Sequence, residues 1–290
     1  MTGVLLSLVA LFGWGIADFF VQKAAKKVGV SATLFAGGVF GLVVLAPFVW
    51  TGIAPAVRDT GHLLLLLAAS GVGIVTALFS LEAYRLGKLA VIEPIMGLEL
   101  PVTVLLAVAF HGERLGLREF MLLIVIFVGL VLTVWRRKKP GERFGAKTFE
   151  RGVLFGVVGA VCLGASNVLT GVASQTVSPL MAVWFSRLAF SLVFGAHLLV
   201  TRRMTGTLAA LKTHAAMVFG LSSLYLVTFV SYSVAVTLIP ISIATAISEN
   251  YIVVAALLGV FANGERLARH QAAGIAVSAA GVTALAYLSS

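Results

Sequence analysis

Ten stretches of about twenty mostly apolar residues follow one another along this chain, with little between them. They lie near 3–22, 31–51, 62–86, 89–110, 116–135, 152–173, 179–201, 214–238, 240–262 and 267–288. An α-helix needs about 20 apolar residues to cross a bilayer, because hydrocarbon offers no partner to an unsatisfied amide or carbonyl. The pattern predicts an all-α membrane protein with ten transmembrane helices. Composition agrees: 60% of residues are hydrophobic and 11% charged, against about half and about a quarter in soluble domains. The first stretch lacks both a basic lead-in and a small-residue cleavage site. It reads as a permanent span, not a signal peptide.

The net charge of +10 is that of basic loops on one side of a membrane, and no nucleic-acid partner is expected. Cys162 is the single cysteine, which excludes an intramolecular disulfide and a Cys-rich metal site. No Walker loop, Rossmann glycine pattern or His-Glu-x-x-His occurs. No metal or cofactor is expected, and without an ATP site any transport must run on gradients.

Gly-Glu-Arg-Leu occurs twice, at 112–115 and 264–267, displaced by 152 residues. Five spans precede the basic stretch "RRKKPGERFGAKTFER" (136–151) and five follow it. The division is 1–135, a linker 136–151 and 152–290. Five is odd, so a duplicated unit enters the membrane in the opposite direction the second time. Many transporters are built from such inverted repeats. The openings of the halves agree: "GVLLSLVALFGWGIADFF" parallels "GVLFGVVGAVCLGASNVL", which sets Asp18 opposite Asn167 and Gly15 opposite Gly164. GERL reads as a tight helix–helix turn, Gly closing one helix and Glu facing the N-terminus of the next. The glycine pairs Gly37/Gly41, Gly152/Gly156 and Gly71/Gly73 read as sites of close helix packing.

Together with "SPLMAVWFSRLAF" in helix 7 and the endings "LLAVAFHGER" and "YIVVAALLGVFANGER", these features resemble the EamA-type members of the drug/metabolite transporter superfamily, over the whole chain in two tandem copies. The resemblance implies metabolite or drug transport, commonly export, through a central cavity lined by helices 1–4 and 6–9, with helices 5 and 10 peripheral. The chain departs from a symmetric pattern. Trp14-Gly15 is matched by Leu163-Gly164, and Arg187 has no counterpart in "FAGGVF" of helix 2.

Loops after odd-numbered helices, with the linker, hold 17 Lys and Arg; loops after even-numbered helices hold only Arg58, Arg114 and Arg118. The positive-inside rule places the richer side in the cytoplasm and both termini outside. Family members commonly have cytoplasmic termini, so charge and resemblance disagree here.

Ionisable side chains within spans need a partner, water or a purpose. Glu82 and Arg85 read as an interfacial ion pair. Glu99 and Glu249 fall near mid-membrane on helices 4 and 9, the same element of the two units. Pro101 should free the Gly97 carbonyl, leaving it for water, substrate or a hydroxyl. Glu93, six residues before Glu99, faces the cytoplasmic vestibule or caps helix 4. Asn250 and Tyr251 adjoin Glu249. Arg187 is the lone intramembrane cation and is expected to meet Glu99, Glu249 or a substrate anion. Asp18 and Asn167 are repeat-related, and Trp14 sits one turn from Asp18. These nine residues are the candidate substrate or coupling set. The expected partners are a small-molecule solute, protons and lipid, with a monomer sufficient. The expected protein is a multi-pass inner-membrane secondary transporter. The rival is a membrane-embedded enzyme or lipid-modifying scaffold, which would gather carboxylates at one membrane surface.

Overall fold

The computed structural model describes residues 1–86, 92, 95–135, 146–263 and 267–289, without the side chains of 18–19, 21–23, 25–26, 146–150 and 262–263. Twelve helices are traced among these residues. The first unit contains α1 (Thr2–Val28), α2 (Val30–Arg58), α3 (Thr60–Leu86), α4 (Glu99–Phe110) and α5 (Leu117–Val134). The second contains α6 (Ala146–Thr176), α7 (Pro179–Val200), α8 (Met204–Thr213), α9 (Ala215–Ala235), α10 (Ile241–Ser248), α11 (Tyr251–Asn263) and α12 (Arg269–Leu288). Eight helices are long and apolar enough to cross a membrane, Ile241–Phe261 counting as one; Thr2–Ala17 and Glu99–Phe110 are shorter apolar helices.

Local signals set the boundaries. Ser178 is extended and Pro179 opens α7, where its missing amide leaves nothing unsatisfied. Gly112 is left-handed (φ 71) and closes α4, while the Glu113 amide folds back to Ala107 O at 3.1 Å. Glu119 accepts the Gly116 amide at 2.6 Å to start α5, and Gln271 accepts the Ala268 amide at 3.0 Å to start α12. The second pair is the first displaced by 152 residues.

Several expectations need correction. The second unit's first helix starts at Ala146, inside the stretch read as linker, because nothing in 146–151 breaks a helix. The short helix α8 lies where a loop was expected. Helix 9 is not continuous but is divided into α10 and α11. The helix 3–helix 4 split, the start of the linker and the second GERL turn fall wholly or mostly outside the described residues. Glu82 and Arg85 do pair, with Arg85 Nε donating to Glu82 Oε2 at 2.8 Å.

Helices pair across the units, and each pairing has its mate. α3 packs on α6 as α9 packs on α1, and α4 packs on α6 as α10 and α11 pack on α1. α2 packs on α7 and α5 on α12. Glycine permits the closest of these approaches. A Cβ at Gly129 would lie 2.6 Å from Ser278 N, and one at Gly274 would lie 2.6 Å from Thr133 N, so the α5 and α12 backbones nearly touch. In lipid, close van der Waals packing of this kind replaces the hydrophobic drive between helices.

Gly129→Val therefore forces α5 from α12. Overpacking of this kind costs about 1–3 kcal/mol, and a lower melting temperature in detergent is the expected result. Gly220→Ala, where nothing lies within 4 Å of the added carbon, should melt like wild type.

Candidate functional site

Both units interrupt the same helix at the same register. In the first, Gly97 and Leu98 form a turn before α4; in the second, Glu249 and Asn250 form a turn between α10 and α11. The replacement bonds match. Leu100 N donates to Gly97 O at 3.4 Å, and Ile252 N donates to Glu249 O at 3.4 Å. The Gly97 carbonyl thus accepts from the amide three residues on. Asn250 spans the second break, its Nδ2 donating to Ala246 O at 2.9 Å. Interrupted helices at mid-membrane are tolerated where they line a cavity or lie inside protein.

The interruptions border a cavity of about 350 Å³. Its lining comes from α1, α2, α3, α4, α6, α7, α9, α11 and the second break; none of the described lining residues lies on α5, α8 or α12. Glu99 is the first residue of α4 and Tyr251 the first of α11, the two being 152 positions apart. Both line the cavity, as does Glu249 from the second turn. Glu99 and Glu249 are buried, 3% and 6% exposed. The glycines of the first helices hold these segments in place. A Cβ at Gly15 would lie 2.9 Å from Tyr251 O and one at Gly164 would lie 3.0 Å from Glu99 O.

Arg187 enters from α7 and is the one cation among the described lining residues. Its stem passes over Gly41, where a Cβ would stand 2.8 Å from Arg187 Cγ. Its guanidinium lies on the Phe229 ring, Cζ 4.3 Å from the centroid. Its buried Nε has no hydrogen-bond partner. The ion pairs Glu82–Arg85 and Asp59–His62 do not involve Arg187. The ring face is a favourable contact for the guanidinium, its quadrupole attracting the cation. Trp14 continues the aromatic wall, 5.5 Å from Phe229, 5.5 Å from Tyr232 and 6.2 Å from Tyr251 between centroids.

Of the nine residues singled out from the sequence, six line this cavity: Trp14, Glu99, Asn167, Arg187, Glu249 and Tyr251. Asn167 also reaches Thr103 Oγ1 at 3.4 Å. Asn250 is not among the lining residues; its Nδ2 is used at the break, and its buried Oδ1 has no hydrogen-bond partner among the described residues. The side chain of Asp18 and all of Glu93 lie outside the described residues. Sequence reasoning missed Tyr225, Phe229 and Tyr232 of α9, all on the wall. Their i, i+4, i+7 spacing puts them on one helix face, and that stripe was the available signal.

Eight helices long and apolar enough to cross a membrane, with two matched interruptions beside a cavity holding charged side chains, make a multi-pass membrane protein with room for a solute. The EamA-like transporter family model matches residues 1–135 and 150–287, two copies covering most of the chain. This chain belongs to the EamA-like transporter family. No curated protein matches it. It is similar in fold to a solved chain titled only "Crystal structure of protein", with a TM-score of 0.73 and 16% identity over 99% of this chain and 98% of that one.

Gly41→Ala should displace the Arg187 stem and reduce transport in proteoliposomes at least severalfold. Gly71→Ala, where nothing lies within 4 Å of the added carbon and which does not line the cavity, should transport normally. Equal rates in the two variants would mean that Gly41 does not set the position of Arg187.

Proposed function

We propose that this protein is a secondary transporter moving a small, polar, amino-acid-like solute across the inner (plasma) membrane by alternating access, in the direction of export. The observation that carries the reading is one cavity, drawn from both units, that gathers one guanidinium, two carboxylates and an aromatic wall. Arg187 presents donors to a substrate carboxylate, its planar fork suited to two oxygens at once. Glu99 and Glu249 receive an ammonium group or a proton, and Asn167 and Tyr251 fix orientation. The aromatic residues cover the solute's apolar part. The cavity's size lies near the lower end of the range of about 300–1,000 Å³ for ligand sites, which favours a metabolite over a drug. Asp18, on the helix that carries Trp14, and Glu93 are proposed to handle protons on the way in. An enzyme acting at the bilayer face would need its carboxylates at a membrane surface, whereas Glu99 and Glu249 line an internal cavity.

The matched pairings and matched interruptions support ten spans arranged as two inverted units, α10–α11 being one span and the stretch ending in α4 another. The loop charges support an outward C-terminus. A reporter fused after Ser290 should read as external and one inserted near Lys139 as cytoplasmic. The opposite result would reverse the orientation.

The substrate is to be found by a thermal-shift screen of metabolites on purified protein. With it in hand, Arg187→Ala should abolish proteoliposome transport. Arg187→Lys keeps the charge but loses the flat, forked contact, and should raise KM about tenfold, the effect of about 1.4 kcal/mol. Unchanged kinetics in the Lys variant would exclude a forked contact to substrate.

Glu249 is the proposed coupling residue. Glu249→Gln keeps size and hydrogen bonding but cannot titrate. It should still exchange substrate across the membrane yet lose accumulation driven by a pH gradient. Loss confined to Glu99→Gln would move the role to α4. Saturable counterflow in wild type distinguishes a carrier from a channel.

A further inference from the structure

The turn between α4 and α5 does more than join two helices. Glu113 reaches from the first unit to the start of α10 in the second. Its Oε1 accepts the Ile241 amide, and its Oε2 accepts the Ser242 amide at 3.1 Å and the Ser242 hydroxyl at 2.6 Å. Beside it, His111 Nε2 meets Gln175 Oε1 at 2.7 Å, and Gln175 Nε2 donates to Val236 O at 2.6 Å. Four places are thereby pinned together: the α4–α5 turn, the ends of α6 and α9, and the beginning of α10.

An apolar layer adjoins this polar cluster. Ala10, Val236, Ile241 and Ala244 are buried in it, with Val172 packed against them. Ile241 fits so tightly on α6 that a Cβ at Gly171 would lie 2.5 Å from its Cδ1. Trp14 and Tyr232 belong to the same layer and also line the cavity. Val236 and Ile241 thus join the polar cluster to the layer, and Trp14 and Tyr232 join the layer to the cavity.

We infer that this stack is the gate on the side of the membrane that carries the α4–α5 turn, closed in this structure, and that Glu113 is its latch. Opening there requires α10 to part from α6 and from the α4–α5 turn. That movement breaks the hydrogen bonds of Glu113. A carboxylate accepting two amides and a hydroxyl is a strong, charge-assisted anchor. A glutamine at 113 is a weaker acceptor, and such a weakening shifts a two-state population about tenfold. Glu113 is then a positioning residue that never touches the solute. The inference rests on the alternating-access part of the proposed function and not on the identity of the solute.

Side-specific labelling tests it. Ala10 is fully buried in the apolar layer, so Ala10→Cys in a Cys162→Ala background reports opening. The full-length protein is placed in liposomes, and a membrane-impermeant maleimide is added from the side bearing the α4–α5 turn. Glu113→Gln should raise the labelling rate about tenfold, in step with that population shift. Ser242→Ala, which removes only the hydroxyl, should raise it less. Thr237→Cys, already exposed on that side, should label equally in every background. Unchanged labelling of Ala10→Cys in both variants would overturn the latch. So would an equal rise with reagent added from the opposite side, since that is general loosening. If Glu113→Gln does not fold, Ser242→Ala decides. The readout needs no substrate, so failure to find a transported solute is a separate result.

Discussion

A helix can be interrupted in hydrocarbon only if every amide and carbonyl released by the break finds another partner. This protein interrupts a helix twice, and the site depends on it. At Gly97–Leu98 and at Glu249–Asn250 the chain tightens into i, i+3 bonds that reuse the released groups. In the first unit Pro101 has no amide to give, so Leu100 supplies the bond to Gly97 O. In the second, Asn250 adds its side-chain amide to the Ala246 carbonyl. Each break turns the residues beside it towards the cavity: Glu99 in one case, Glu249 and Tyr251 in the other.

Placing charge at such depth requires room and compensation. Room comes from glycine. Gly41 lets the Arg187 stem pass, and Gly15 and Gly164 let α1 and α6 lie against the carbonyls of Tyr251 and Glu99. Compensation for Arg187 comes from Phe229, whose ring face covers one side of the guanidinium and leaves donors for something else. A guanidinium stacked on a ring can still donate hydrogen bonds in its own plane, which suits the proposed binding and release of an anionic group.

The membrane class, the two-unit layout and most span boundaries were legible because they follow from solvent: the bilayer fixes the length of an apolar run, and duplication leaves letters such as GERL behind. Six cavity residues were legible for a related reason, since polar side chains stand out in an apolar chain. The rest was hidden. Nothing in "SIATAISENYIVV" announces a break, because the replacement bonds are local backbone geometry that many residues can adopt. The aromatic stripe of α9 was hidden among other apolar residues, since Tyr and Phe are as much at home facing lipid as facing a solute. The stacking of Arg187 on Phe229 was hidden as well, because a ring face carries no charge to stand out in an apolar chain. The bond of Asn250 Nδ2 to Ala246 O was hidden too, because that carbonyl is released only once the helix is broken.

GERL shows how a repeat can mislead. A motif that follows a helix end and precedes another helix is most simply a turn, and the left-handed Gly112 does make one. The Glu was then assigned to the nearest helix start. That start is already served by Glu119, as its counterpart in α12 is served by Gln271. With the local amide taken, the carboxylate of Glu113 is free to reach α10 in the other unit. Sequence proximity names the cheapest partner for a capping group, but a second capper nearby releases the first for long-range use. Under the alternating access proposed above the two units shift against each other, and a carboxylate so released bears on the junction between them.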